Sequence, residues 1–118
     1  MEIKNGAFNR HLELRQHACG GVLISIENGL VEEEDSFIDK AYIIMEVEHT
    51  VSTKMIECAR VPKKCVADYT KDCTLGEYLH SKDSTIDPKD WSIRFNNVST
   101  RRECLEAALT LLKLQQQV

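Results

Sequence analysis

Aromatic residues, prolines and long apolar stretches are all scarce in this sequence. Aromatic side chains make up 6% of its 118 residues, so a hydrophobic core must rest on Ile, Leu, Val and Met. Pro62 and Pro88 are the only prolines, and no Gly/Ser-rich linker or repeat divides the chain. No apolar run approaches the roughly 20 residues that span a bilayer. With 42% hydrophobic residues, these features predict a single globular domain over 1–118, with 115–118 as a frayed tail, and no membrane partner.

The sequence also lacks the marks of a secreted, disulfide-stabilised protein. Its first residues, Met1 to Gly6, have neither the charged nor the apolar region of a signal peptide. Its five cysteines are an odd number, which argues against a framework of disulfides. We therefore expect a cytoplasmic protein whose cysteines are reduced and packed as small apolar side chains.

Motifs of the common catalytic and cofactor sites are missing. From His49 to His80, successive Cys and His residues are separated by six to eight residues, whereas structural zinc sites pair ligands across about two to four. Gly20-Gly21 is not followed by the Lys-Ser/Thr of a phosphate-binding loop. We therefore predict no cofactor, no metal site and no catalytic residue, and we do not expect an enzyme.

Alternating apolar residues in the first third predict a three-stranded β-meander. Its strands cover residues 10–18, 22–27 and 30–34, because apolar side chains two residues apart share one face of a sheet. Gly20-Gly21 and Asn28-Gly29 are tight-turn dipeptides and would join the strands.

The middle of the chain predicts two further strands. Residues 41–51 are ambiguous, since the β-branched residues at 43, 44 and 47 favour a strand while a helix over 36–48 also fits the apolar spacing. Residues 54–61 favour a strand that ends at Pro62.

Helical signals dominate the second half. Thr74 to Glu77 and Thr100 to Glu103 are capping boxes, which predict one short helix to about residue 81 and a C-terminal helix to about Leu114. Between them, the alternation from Trp91 to Phe95 predicts a late strand. The fold class is therefore α+β, an antiparallel sheet formed by the meander and the late strand, covered by the C-terminal helix and one short helix.

Negative charge is concentrated between Glu27 and Glu48. This segment has eight acidic residues and one basic residue, Lys40, so it carries −7 while the whole chain carries −4. On a strand, Glu46 and Glu48 would share an outer face with Tyr42. We predict a docking surface formed by Glu32, Glu33, Glu34, Asp35, Asp39, Tyr42, Glu46 and Glu48. The simpler alternative is a solvated acidic loop that binds nothing.

The leading functional hypothesis is a small acidic protein-binding module of the inhibitor or immunity type. Its partner would present a basic patch, as nucleases and nucleic-acid-binding proteins do, because opposite charges speed encounter and select partners. Free sheet edges also allow a homodimer.

Two alternatives belong to other functional classes. The first is a small thiol-dependent enzyme or ligand-binding domain, with a pocket between the sheet and the C-terminal helix, using Cys73, His49 or His80. The second is a nucleic-acid-binding protein that uses four arginines, which an isoelectric point near 5.5 disfavours. Those arginines are Arg10, Arg15, Arg101 and Arg102.

Overall fold

An antiparallel sheet with helices on both faces makes up the fold, an α+β architecture. The computed structural model describes residues 2–18, 20–70, 72–91, 95 and 101–116. The strands are β1 (Val22–Glu32), β2 (Ser36–Val47) and β3 (Thr50–Pro62). The helices are α1 (Glu2–His17), α2 (Leu75–Lys82) and α3 (Arg101–Gln116), and a short 3-10 helix covers Lys63–Val66.

The central strand of the sheet is β2, which pairs with β1 on one side and with β3 on the other. Val22 of β1 lies opposite Val47, and Ser36 lies opposite Pro62 of β3. Next to Asp39 the register of β2 and β3 shifts by one residue, a β-bulge that bends the β3 edge.

Helices α1 and α3 cover opposite faces of β2. Tyr42 and Ile44 pack in one cluster with Ile3 of α1, whereas Ile43 and Met45 pack in another with α3. Successive strand residues point to opposite faces, so a strand covered twice reads as a continuous apolar run rather than an alternation. This double burial explains why 41–51 was ambiguous as a sequence; the strand interpretation is confirmed over β2.

A third cluster joins α2 to the far end of the sheet. Phe37 and Val61 of the sheet pack with Leu79 of α2 and with Trp91, whose side chain is buried in a turn. The hydroxyl of Thr74 accepts a hydrogen bond from the backbone N–H of Glu77 at 3.1 Å, so this predicted cap is confirmed.

The predicted first strand over 10–18 is wrong, because these residues belong to α1. The buried residues of α1 are Ile3, Ala7 and His11, spaced by four as on one face of a helix. Leu12, which suggested the alternation, is 54% exposed. Two of the three buried residues, Ala7 and His11, are small or polar. The hydrophobic residues of this segment therefore do not show the helical spacing of its buried face.

The predicted turn at Asn28-Gly29 is also wrong, since β1 continues through it. Gly29 is needed there for close packing: a Cβ at this position would lie 2.8 Å from the Ile3 side chain. The actual turn between β2 and β3 is formed by Glu48 and His49, both with positive φ, at 49° and 72°. Positive φ at both residues is favoured in two-residue hairpin loops, because the twist of such a turn matches the right-handed twist of the flanking strands.

After α2, the described part of the chain contains a turn at Trp91 and the C-terminal helix α3. Trp91 lies in a turn, and residues 92–94 of the predicted late strand lie outside the described residues, as does Thr100 of the second capping box. The C-terminal helix packs on the sheet as predicted, but it continues past Leu114. Gln116 donates hydrogen bonds to the backbone oxygens of Met45 and Thr50 at 3.1 and 3.2 Å. No helix in the described part of the chain is both long and apolar enough to cross a membrane.

Replacing two helical glycines by alanine should have opposite effects on stability. A Cβ at Gly76 in α2 would overlap the backbone carbonyl of Pro88, so Gly76→Ala should lower the free energy of unfolding by about 2 kcal/mol or more. A Cβ at Gly6 in α1 would lie 3.1 Å from the flexible side chain of Glu27. Because alanine favours helix, Gly6→Ala should be neutral or mildly stabilising. Urea unfolding measures both, and equal losses would contradict this packing.

Candidate functional site

Three residues of the predicted docking surface are buried. Asp39, Tyr42 and Glu46 have exposures of 2%, 8% and 7%. Tyr42 and Glu46 do share a face of β2, as predicted, but α1 lies over that face. Because all three side chains are buried, the prediction that they form an exposed surface is wrong. Tyr42 and Glu46 are buried by α1, a helix that the sequence pattern did not predict.

The acids near the β1–β2 turn lie beside cations of the same chain. The Glu32 carboxylate is 2.8 Å from Lys63 Nζ. Glu33 lies 3.7 Å from Lys40 and 3.8 Å from Arg60. The concentration of negative charge in the sequence is therefore partly neutralised in space.

The remaining exposed acids are separated by the length of the sheet. Glu34 and Asp35 lie in the β1–β2 turn, whereas Glu48 lies in the β2–β3 turn. These turns are at opposite ends of β2, about 35 Å apart for a strand of its length. The acidic residues do not converge on one surface.

A buried hydrogen-bond network fastens α1 to the sheet. Within it, His11 Nε2 donates to the Glu46 carboxylate at 2.8 Å, and His11 Nδ1 lies 2.8 Å from the Ser25 hydroxyl. Arg15 Nε donates to the same Glu46 oxygen at 2.7 Å. The Arg15 hydrogen bond, followed by that of His11, lowers the pKa of Glu46. The network therefore holds a carboxylate in its ionised form under α1.

Ser25, His11 and Glu46 have the hydrogen-bond connectivity of a hydrolytic triad. However, Ser25 is 5% exposed and His11 is 3% exposed, so a substrate has no direct approach to the hydroxyl. The carboxylate is also shared with Arg15, whereas a triad acid serves to orient its histidine. We interpret the network as the anchor of α1.

On the opposite face, Asp39 fixes the start of α3. Its carboxylate accepts a hydrogen bond from Arg101 Nε at 2.9 Å. Burial raises the pKa of Asp39, and the hydrogen bond and charge of Arg101 oppose that rise. Burial and the nearby Asp39 carboxylate raise the pKa of Cys58 to about 12, with a smaller contribution from Cys104. Cys58 is therefore a packed thiol rather than a nucleophile.

The residues of the thiol-enzyme alternative are not brought together. His49 lies in the β2–β3 turn, whereas Cys73 precedes α2 at the other end of the sheet. His80 Nδ1 is 2.8 Å from the backbone oxygen of Ile86 and holds the chain that follows α2. Among the residues that the structure describes, no three His, Cys, Asp or Glu side chains are placed to share a metal ion.

The arginines of the nucleic-acid alternative are divided between the two faces. Arg10 and Arg15 lie on α1, where they pair with Glu27 and Glu46. On α3, Arg101 and Arg102 pair with Asp39 and Glu106. Since the sheet separates α1 from α3, these four cations do not form one phosphate-binding patch.

An apolar groove runs between α3 and the β1 side of the sheet. We call it the edge groove; its volume is about 480 Å³. It is lined by Val22, Ile24, Met45, Val47, Leu109 and Lys113, among others. A pocket between the sheet and the C-terminal helix was predicted for the ligand-binding alternative, but the edge groove lacks the Cys and His residues proposed for it.

The outer edge of β1 is the feature that sequence reasoning missed. β1 is 11 residues long, and among the residues that the structure describes it pairs only with β2. Val22, Ile24 and Leu30 of β1 are 57%, 40% and 39% exposed. The signal was present as an apolar alternation from Val22 to Leu30, but the Asn28-Gly29 dipeptide concealed its continuity. A long apolar edge strand is an available template for another strand.

Glu46→Gln should destabilise the protein in a pH-dependent manner. A lowered folded-state pKa means that the ionised carboxylate contributes stability above its ordinary value of 4.5, and that this contribution is lost as the pH falls through the folded-state value. The variant should therefore unfold at lower urea than wild type at pH 7, and the difference should shrink below pH 4.5. Glu34→Gln, at an exposed turn, should cause little change. A wild-type-to-variant difference that stays constant from neutral to acidic pH would contradict the assignment.

Thiol titration should separate the cysteines by position. Cys65 and Cys73 are exposed, while Cys58 is buried with a pKa of about 12. At neutral pH a colorimetric disulfide reagent should therefore modify Cys58 at least about 100-fold more slowly than Cys65. Mass spectrometry of the modified peptides gives the order of reaction, and unfolding in urea should remove the difference. Modification of Cys58 together with Cys65 in the folded protein would disprove its burial.

Comparisons of this chain with protein-family models, with curated proteins and with solved structures gave no significant match. The β1 edge with its adjoining edge groove is the candidate site.

Proposed function

We propose that this protein is a protein-binding module that adds a strand of its partner to the β1 edge. The observation that carries this proposal is the difference between the two edges of the sheet. Natural proteins protect exposed edges with charges, prolines and bulges, because an open row of backbone N–H and C=O groups pairs readily with another chain.

The β3 edge carries several of these protective features. Lys54, Glu57 and Arg60 place charges along it, and Arg60 pairs with Glu57 at 2.8 Å. Pro62 ends the strand without a backbone donor. The β-bulge beside Asp39 distorts the ladder on this side.

The β1 edge is much less protected. Its charged residues are Glu27 and Glu32, which pair with Arg10 and Lys63 of the same chain. It contains no lysine, arginine or proline over its 11 residues. The register between β1 and β2 is continuous, without a bulge. An incoming strand would therefore find a regular ladder of backbone groups.

The edge groove gives such a strand a place for its side chains. Val22 and Ile24 belong both to the β1 edge and to the groove wall, which α3 completes with Leu109. In strand addition, main-chain hydrogen bonds supply affinity and pockets for alternate side chains supply specificity. The edge and the groove together provide both.

Inhibition of a basic partner stays a prediction within this proposal. Of the acids invoked for it, those at residues 32–35 are exposed near the β1–β2 turn, and Glu48 is exposed at the other end of β2. They would bias the encounter with a basic protein, whereas the β1 edge would supply the contact.

Matched lysine substitutions on the two edges test the proposal. Ile24 on β1 is 40% exposed and Val51 on β3 is 41% exposed. Ile24→Lys should abolish capture of a partner by the immobilised full chain, because a charge on the apolar edge opposes strand pairing. Val51→Lys should leave the capture unchanged.

Circular dichroism and urea unfolding serve as controls that test whether both variants are folded. Amide hydrogen exchange adds a second measurement: a bound partner should slow exchange along β1 and leave β3 unaffected. A partner captured equally by wild type and Ile24→Lys, with no slowing along β1, would refute strand addition at this edge.

A further inference from the structure

We propose that the added strand is β1 of a second copy of this chain, antiparallel to the first, with a twofold axis through Ile26. This inference rests on the proposed function and names its partner. The product is a six-stranded sheet in which the two β1 strands are the central pair. Because the axis is perpendicular to the sheet, both α1 helices stay on one face and both α3 helices on the other.

Side-chain complementarity on the α3 face selects this register. Val22 and Leu30 are among the exposed large apolar residues of the chain, at 57% and 39%. With the axis at Ile26, Val22 of each copy lies opposite Leu30 of the other, and Ile24 lies opposite Asn28. Leu30 of the second copy then reaches the edge groove beside Val22. At each end of the strand pair, Val22 of one copy and Leu30 of the other therefore shield each other from water.

Charge on the α1 face excludes a neighbouring register. An axis at Glu27 would place the two Glu27 carboxylates opposite each other, which is unfavourable in a strand pair. With the axis at Ile26, Glu27 faces Ser25 of the other copy and keeps its own partner, Arg10.

A different shift would leave apolar surface uncovered. With the axis at Ser25, Val22 faces Asn28 and Leu30 extends beyond the end of the other strand. The Ile26 register instead pairs nine residues, from Val22 to Leu30, on each copy. An interface of one strand pair and two edge grooves lies near the lower size limit for stable dimers, about 1,200 Å². We therefore expect a dimer that dissociates in about the micromolar range.

Sedimentation across a concentration series tests the dimer. The mass of the full chain should rise from 13.5 kDa toward twice that value as the concentration increases. Ile24→Lys should weaken dimerisation at least about 10-fold, while the equally exposed Val51→Lys should match wild type. A monomer at every concentration up to about 500 µM, far above the expected micromolar range, or a dimer unaffected by Ile24→Lys, would overturn the inference.

Cysteine cross-linking tests the register, and it needs no destabilising charge. Two chains are prepared, Val22→Cys and Leu30→Cys, each with the exposed Cys65 and Cys73 replaced by serine. Directly opposed strand residues have the Cα separation that a disulfide requires. Oxidised glutathione should therefore link the mixture of the two chains between positions 22 and 30, with release of reduced glutathione. Neither chain alone should link to itself at these positions, and Val22→Cys mixed with Val51→Cys should not link. Self-linking of Val22→Cys as efficient as that of the mixture would overturn the Ile26 axis.

The failure of this inference can be told apart from failure of the proposed function. A chain that stays monomeric, yet captures another protein in an Ile24-dependent manner, excludes the second copy and retains strand addition. A chain that dimerises with no dependence on Ile24 excludes the second copy at this edge. If the capture of another protein is also independent of Ile24, strand addition is excluded as well.

Discussion

Burial of β2 on both faces is the constraint on which the rest of the structure depends. Ile43 and Ile44 are adjacent in sequence, yet both are fully buried, because successive side chains of a strand point to opposite faces. One face therefore needs α1 and the other needs α3, and these helices come from opposite ends of the chain. A strand enclosed in this way has no solvent-facing side. This is the physical reason why Tyr42 and Glu46 could not form an acidic outer surface.

Double burial also determines where the polar groups of the core must lie. A carboxylate under a helix is costly unless it is hydrogen-bonded, and Glu46 receives bonds from both His11 and Arg15 at 2.8 and 2.7 Å. Because such bonds are directional, they fix the position of α1 on the sheet more narrowly than contacts of Ala7 could. Asp39 and Arg101 have the corresponding role at the start of α3. Two acids of the predicted docking surface, Glu46 and Asp39, therefore attach α1 and α3 to the sheet.

How far the sequence could predict the fold depended on whether each segment carried its own local signal. The Thr74 cap, β3 and the helix beginning at Arg101 have such signals and were predicted. Helix α1 does not, because Ala7 and His11 on its buried stripe are small or polar, while exposed Leu12 suggests a strand. The dipeptide Asn28-Gly29 is a turn signal when read alone. In the structure this dipeptide lies inside β1. Ile3, 26 residues earlier in the chain, packs into the space that a side chain on Gly29 would occupy. Contacts between distant segments are not visible in a local pattern.

The candidate site depended on the same long-range information, since an edge exists only once strand order is known. The three strands in the described part of the chain leave two edges, and the residue types along these two edges differ. Charges, a bulge and Pro62 on β3 disfavour pairing with another chain. On β1 the exposed side chains include Val22, Ile24 and Leu30, and the groove beside them is largely apolar. Exposed apolar side chains in a row along an open ladder carry a cost in aggregation, which covering the edge removes. Shape and strand order therefore point to a partner at the β1 edge, whereas the negative charge concentrated in the sequence is partly neutralised within the chain.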